Sequence, residues 1–163
     1  MPERRILLVL PCNPCVRLGD YSLCRNWRVI LASLGDLVGA GLVDLAAIDS
    51  CKPGLVPWGE EHLYRWCDVY PSSDRYYRRE PWRLELMVRA LEADLREALT
   101  RYAYIVYYVN VKAYREALRR ASRSIPHAGR IIEAGPPADS PLSYTSKANR
   151  EALRRSLLSL LEV

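Results

Sequence analysis

Cys12 and Cys15 frame a Cys-Asn-Pro-Cys motif directly after an apolar run, Ile6 to Leu10, and Asp49 with Ser50 closes a second such run. Cys12 directly follows the first run, so it is the thiol placed to line a site at the run ends. One CxxC is at most half of a zinc site, and Cys24, Cys51 and Cys67 complete a set only if the fold gathers them. A thioredoxin-like role needs the pair at a helix start, whereas the next helical pattern begins several residues later. Free thiols, a disulfide, and metal or redox roles therefore stay open for the five cysteines, and no metal or cofactor is expected. His62 lies beside Glu60 and Glu61 without ligand spacing, and His127 precedes the last apolar run. No Gly-x-Ser-x-Gly elbow, Gly-x-Gly-x-x-Gly or Walker loop occurs, which disfavours hydrolase, dinucleotide and ATP chemistry by those routes.

The densest basic and aromatic cluster is Arg75-Tyr76-Tyr77-Arg78-Arg79-Glu80-Pro81-Trp82-Arg83. Arginines contact phosphates and rings stack on unpaired bases, so Arg75, Tyr76, Tyr77, Arg78 and Arg79 are candidate nucleic-acid contacts. Inward-packed rings with solvated arginines are the alternative. A second candidate is Ser140-Pro141-Leu142-Ser143, with small hydroxyls and a leucine near a helix start, where phosphate oxygens bind well. A plain Pro-rich connection remains the other reading of it.

These residues need elements to hold them. The chain has 163 residues, half apolar and about a quarter charged, which suits one α/β domain spanning 1–163. Ile6–Leu10, Val43–Ile48, Tyr104–Val109 and Arg130–Ala134 read as buried strands. Helical periodicity runs over about 23–38 (capped by Ser22), 82–100, a stretch opened by Asn110, and a last helix capped by Thr145 or Ser146, with a short helix after Pro57. Asp49–Pro57 and Tyr70–Arg79 read as loops. Alternating strands and helices predict parallel crossovers and a three-layer sandwich around a four-stranded parallel sheet. Ligands then bind beyond the strand carboxyl ends, at Pro11–Tyr21, Asp49–Pro57, Asn110 onward and Gly135–Thr145.

The charge balance is 24 cationic residues against 19 acidic, and 21 of the 24 are arginine; phenylalanine and glutamine are absent. Composition bias accounts for the excess as a whole, so only clustering at a site speaks for nucleic acid. No stretch reaches the roughly 18 apolar residues of a spanning helix, and the first apolar run is too short for a signal peptide. A cytoplasmic protein with no membrane partner is expected.

Three segments resemble the central domain of archaeosine synthase, in the archaeal tRNA-guanine transglycosylase group. Pro11-Cys12 followed by Tyr21-Ser22 resembles its Pro-Cys-Ser…Lys-Pro-Tyr-Ser region. Gly54-Leu55-Val56-Pro57, Glu61, Tyr70-Pro71 and Tyr76 resemble its Gly-Val-Val-Pro…Glu…Tyr-Pro…Tyr signature, and Trp82 with the long helix fits as well. The match covers roughly residues 5 to 110. The family's serine after Pro-Cys is Asn13 here, its lysine before Pro-Tyr has no counterpart, and its Ser-x-Ser-His is Ser22-Leu23-Cys24-Arg25.

That domain is similar in fold to uracil-DNA glycosylases, which implies strand order two-one-three-four. Ser140-Pro141-Leu142-Ser143 resembles the glycosylases' leucine-inserting loop without its histidine. Asn13-Pro14 resembles an Asn-Pro that positions water in the mismatch-specific branch. The resemblance implies binding of tRNA, or of a modified base in it, by Pro11, Tyr21, Ser22, Ser50, Pro57, Tyr70, Ser140, Leu142 and Ser143 beside the arginine cluster. It leaves the family's transfer reaction open. Base excision is the alternative, with Asn13 or Asp49 positioning water and Leu142 as a wedge. A non-catalytic partner of a transglycosylase subunit is the third reading.

Overall fold

The computed structural model describes residues 5–11, 19–66, 73–135 and 144–162. Its centre is a mixed sheet of five strands: β1 (Ile6–Pro11), β2 (Val43–Asp49), β3 (Gly54–Pro57), β4 (Tyr104–Tyr107) and β5 (Ile131–Glu133), in the order β3-β2-β1-β4-β5. β1 pairs in parallel with β2 and β4, and β4 with β5, while β3 folds back antiparallel on β2. A fifth, antiparallel strand at the edge thus sets the sheet's count and full order apart from the expected four-stranded, all-parallel sheet, while β2, β1, β4 and β5 keep the two-one-three-four order among themselves. The added strand lies in the expected Asp49–Pro57 loop. Only Leu55 and Val56 are apolar there, between a glycine and a proline, so the segment carries no period of two to read. It holds its place through Ala46↔Pro57 to Asp49↔Gly54 pairing and the burial of Gly54, Leu55 and Val56.

All six residues of β1 are buried, because helices cover both faces of the sheet. Alternation divides them. Ile6, Leu8 and Leu10 join a core with α1 (Arg25–Gly39) and α5 (Lys147–Leu161), where Trp27, Ile30, Leu34, Leu153 and Leu157 face the sheet. Leu7 and Val9 join the opposite core, with α2 (Ser73–Arg79), α3 (Trp82–Leu99) and α4 (Lys112–Ser124). Met87, Val88, Leu91, Leu95 and Ala98 of α3 recur at three and four, as the sequence pattern requires.

Helix ends show local departures. The Tyr70–Arg79 stretch holds a helix, α2, from Ser73 onward rather than loop. α4 is capped at Val111, not Asn110. Ser22 lies in a 3₁₀ turn, Tyr21–Leu23, capped by Asp20, and α1 starts after Cys24. The helix expected after Pro57 is a single 3₁₀ turn, Glu61–Tyr64. Ser146 caps α5, its hydroxyl accepting from the Asn149 N–H at 3.2 Å. Among the described residues no helix is long and apolar enough to cross a membrane.

Several arginines of the excess have structural work. Arg130 donates to the carbonyls of Leu99 (2.7 Å), Tyr102 (2.6 Å) and Ala103 (2.9 Å), closing the carboxyl end of α3, where carbonyls lack helical partners. Arg154 forks onto Asp36 at 2.7 and 2.6 Å, joining α5 to α1.

Gly54 carries φ +117°, and a Cβ there would meet Asp94 Oδ2 at 2.2 Å. Gly54→Ala is expected to cost about 1–3 kcal/mol through positive-φ strain and displacement of Asp94. Urea denaturation checks it; an unchanged midpoint refutes this reading of the turn.

Candidate functional site

β2 ends on Asp49 and turns at Ser50, and successive side chains leave a strand on opposite faces. Asp49 consequently points toward α1 and Ser50 toward α2 and α4, which gives this edge two polar centres.

Asp49 is fully buried. Its Oδ2 accepts from the Tyr21 hydroxyl and its Oδ1 from the Cys51 N–H, both at 2.8 Å. Tyr21 N–H donates to Glu61, a second buried carboxylate, at 2.8 Å. The Tyr21 ring stacks on Trp27 with centroids 4.8 Å apart, and the Trp27 indole N–H donates to the Pro11 carbonyl at 2.9 Å. A single assembly thus ties the end of β1 to the end of β2. Beside it Asp20 accepts from the Ser22 hydroxyl (2.6 Å) and N–H (2.8 Å), and the hydroxyl holds its carboxyl below the usual range.

On the other face, Ser50 Oγ lies 2.6 Å from the Tyr114 hydroxyl and accepts from the Tyr77 hydroxyl at 3.0 Å. A cleft of about 390 Å³ opens here, lined by Ser50, Cys51, Pro53, Trp66, Tyr76, Tyr77, Arg83 and Leu86. Its rim is aromatic: Trp66 is 66% exposed, and Trp82 next to Arg83 is 54% exposed. The Arg83 guanidinium sits over Tyr76 (4.9 Å) and Trp82 (4.5 Å) and pairs with Glu80, which holds it more firmly protonated. Arg75, Arg78 and Arg79 are exposed on α2 immediately beside it.

The sequence candidates separate accordingly. Pro11, Tyr21, Asp49 and Ser50 converge at the carboxyl edge, with Ser22 adjoining. Tyr76 and Tyr77 join Ser50 across the sheet, although Tyr77 is only 6% exposed and packs edge-on against Tyr114. Its ring is therefore part of the core rather than an offered stacking face. Pro57 lies at the far end of β3, opposite Ala46, away from this edge. Cys12, Asn13, Tyr70, Ser140, Leu142 and Ser143 lie outside the described residues. Cys24 and Cys51 each take part in a disulfide. Among the described residues no cluster of three His, Cys, Asp or Glu could hold a metal ion.

The sequence reading did not single out Trp27, Trp66, Arg83 or Tyr114 as site residues. Trp27 and Tyr114 look like ordinary members of apolar helix faces. Trp66 carries no motif. Arg83 stands in the cluster, but only the fold stacks it on two rings.

No family model matches the chain, and no curated protein matches it. In structure it is similar to the crystal structure of AF0587, a protein of unknown function, with TM-score 0.61 and 16% identity over 96% of this chain. The chain spans 45% of that protein's length. At this identity the likeness bears on the α/β fold alone.

Proposed function

We propose that the chain is a nucleic-acid-binding domain of tRNA modification, of the archaeosine-synthase central-domain type and uracil-DNA glycosylase-like topology. Its ligand is tRNA or a modified base in it. One observation carries this reading: a cleft at the sheet's carboxyl edge combines Ser50, exposed Trp66 and ring-stacked Arg83 with the exposed Arg75, Arg78 and Arg79 of α2. Cationic side chains neutralise phosphates, and exposed rings beside them accept unstacked bases. Binding is preferred to base excision because both Asp49 oxygens are engaged by Tyr21 and Cys51.

Filter binding of total tRNA across a salt series tests the proposal. The affinity should fall with salt, by about 0.7–0.9 in log–log slope per phosphate contact. Replacing Arg75, Arg78 and Arg79 together by alanine should lower that slope by roughly two, and Trp66→Ala should weaken binding with the slope unchanged. Absence of binding at low salt, or a slope indifferent to the arginines, refutes it. Release of abasic sites from uracil or mismatch duplexes by the same protein would move the assignment to base excision.

A further inference from the structure

A mixed sheet ends in two edge strands, and an edge strand offers unpaired N–H and C=O groups to any second strand. β3 is the outer strand beside β2, and a groove of about 360 Å³ runs along it, lined in part by Lys52, Leu55, Pro57, Asp94 and Tyr102. Every outward backbone group of β3 is nevertheless occupied.

The register places Gly54 and Val56 opposite Asp49 and Ala47, and the Trp58 N–H continues the ladder to the Leu45 carbonyl at 3.0 Å. In such an antiparallel pair Leu55 and Pro57 direct their backbone groups outward. The Leu55 N–H donates to Asp94 Oδ2 at 2.8 Å, and the Leu55 carbonyl accepts from Lys52 Nζ at 2.9 Å. Pro57 has no N–H to offer, and its carbonyl accepts from the Glu60 N–H at 3.0 Å. The opposite edge is blunted by other means. β5 is three residues long, and the Ile131 N–H is directed at His127 Nδ1, 3.4 Å away.

We propose that Lys52 and Asp94 are edge guards. They mimic the missing neighbour strand with one cation and one carboxylate, and so keep β3 from pairing with the β3 of a second copy of this chain. The inference goes beyond the nucleic-acid reading and does not depend on it. Two side chains from different elements, α3 and the β2–β3 turn, converge on both backbone groups of a single residue. Water would satisfy those groups equally well if the only requirement were hydrogen bonding.

The test uses Lys52→Met, which keeps the apolar stem, and Asp94→Leu, singly and together. Asp94→Asn keeps an acceptor oxygen and serves as the control. Light scattering after size exclusion should show the wild type and Asp94→Asn monomeric and the double variant dimeric or larger. At dilutions where the double variant is still monomeric, Leu55 amide exchange should rise about tenfold. A folded double variant that stays monomeric at high concentration overturns the proposal. If Asp94→Leu does not fold, Lys52→Met alone decides: it removes the hydrogen bond to the Leu55 carbonyl, and a monomer indistinguishable from wild type overturns the proposal.

Discussion

Raising the pH from about 10 to about 12 is expected to unfold the domain, with ionisation of buried tyrosines as the cause. Burial pushes the Tyr102, Tyr107 and Tyr108 hydroxyls up to about 12 each from an ordinary 10.0. For Tyr102 the hydrogen bond it donates to Asp44 at 2.7 Å adds to burial, and for Tyr107 the nearby Glu133 does. Tyr144, fully buried, is also held well above the ordinary value, by burial and by Tyr108.

The folded state therefore holds the proton more tightly than the unfolded chain. Its advantage is complete below about pH 10 and is lost as the pH rises toward 12. Two units correspond to about 3 kcal/mol per tyrosine, so two or three such groups approach the roughly 5–15 kcal/mol that holds a domain together. The Tyr108–Tyr144 pair is the most exposed to this loss in structural terms. Each hydroxyl donates to the other's carbonyl, at 2.7 and 3.2 Å, and the pair links the end of β4 to the start of α5. Tyrosinate absorbance and circular dichroism followed together should give coincident transitions near pH 11. A native dichroism spectrum at pH 12, or tyrosines that all titrate near 10 with the fold intact, refutes this.

The same residues show what the sequence could and could not disclose. Runs such as Ile6–Leu10 and Val43–Ile48 are legible as strands because burial on both faces demands unbroken apolar residues. α3 is legible because one face repeats at three and four over 18 residues. β3 is not, since four residues ending in proline acquire a partner only through the β2 turn. α2 is not, since Arg and Tyr in a Ser/Pro-flanked stretch suit loop as well as a seven-residue helix. The site divides along the same line. That Asp49, Ser50 and Pro11 share an edge follows from each ending an apolar run. That Asp49 takes Tyr21 while Ser50 takes Tyr77 and Tyr114 depends on which helix covers which face, and no spacing records it.

Asp49 gives the second large effect. Asp49→Ala should cost about 3–5 kcal/mol, because it removes the buried acceptor of the Tyr21 hydroxyl and of the Cys51 N–H, at about 1–3 kcal/mol each, and leaves a void. Asp49→Asn should cost roughly half as much, since its oxygen serves one donor while its amide N–H₂ opposes the other. Tyr21→Phe removes the hydroxyl from the other side, so the Tyr21–Asp49 double-mutant cycle should return a coupling of about 1–3 kcal/mol in urea unfolding. Two readouts then separate scaffold from ligand contact. If Asp49 acts by holding the ends of β1 and β2 together, Asp49→Asn binds tRNA as the wild type does at temperatures where it is folded. If Asp49 meets the ligand, binding falls at constant folded fraction. The first outcome is expected, because the carboxylate is fully buried with both oxygens filled. An Asp49→Ala protein within 1 kcal/mol of wild type would show that this carboxylate does not join the two strand ends.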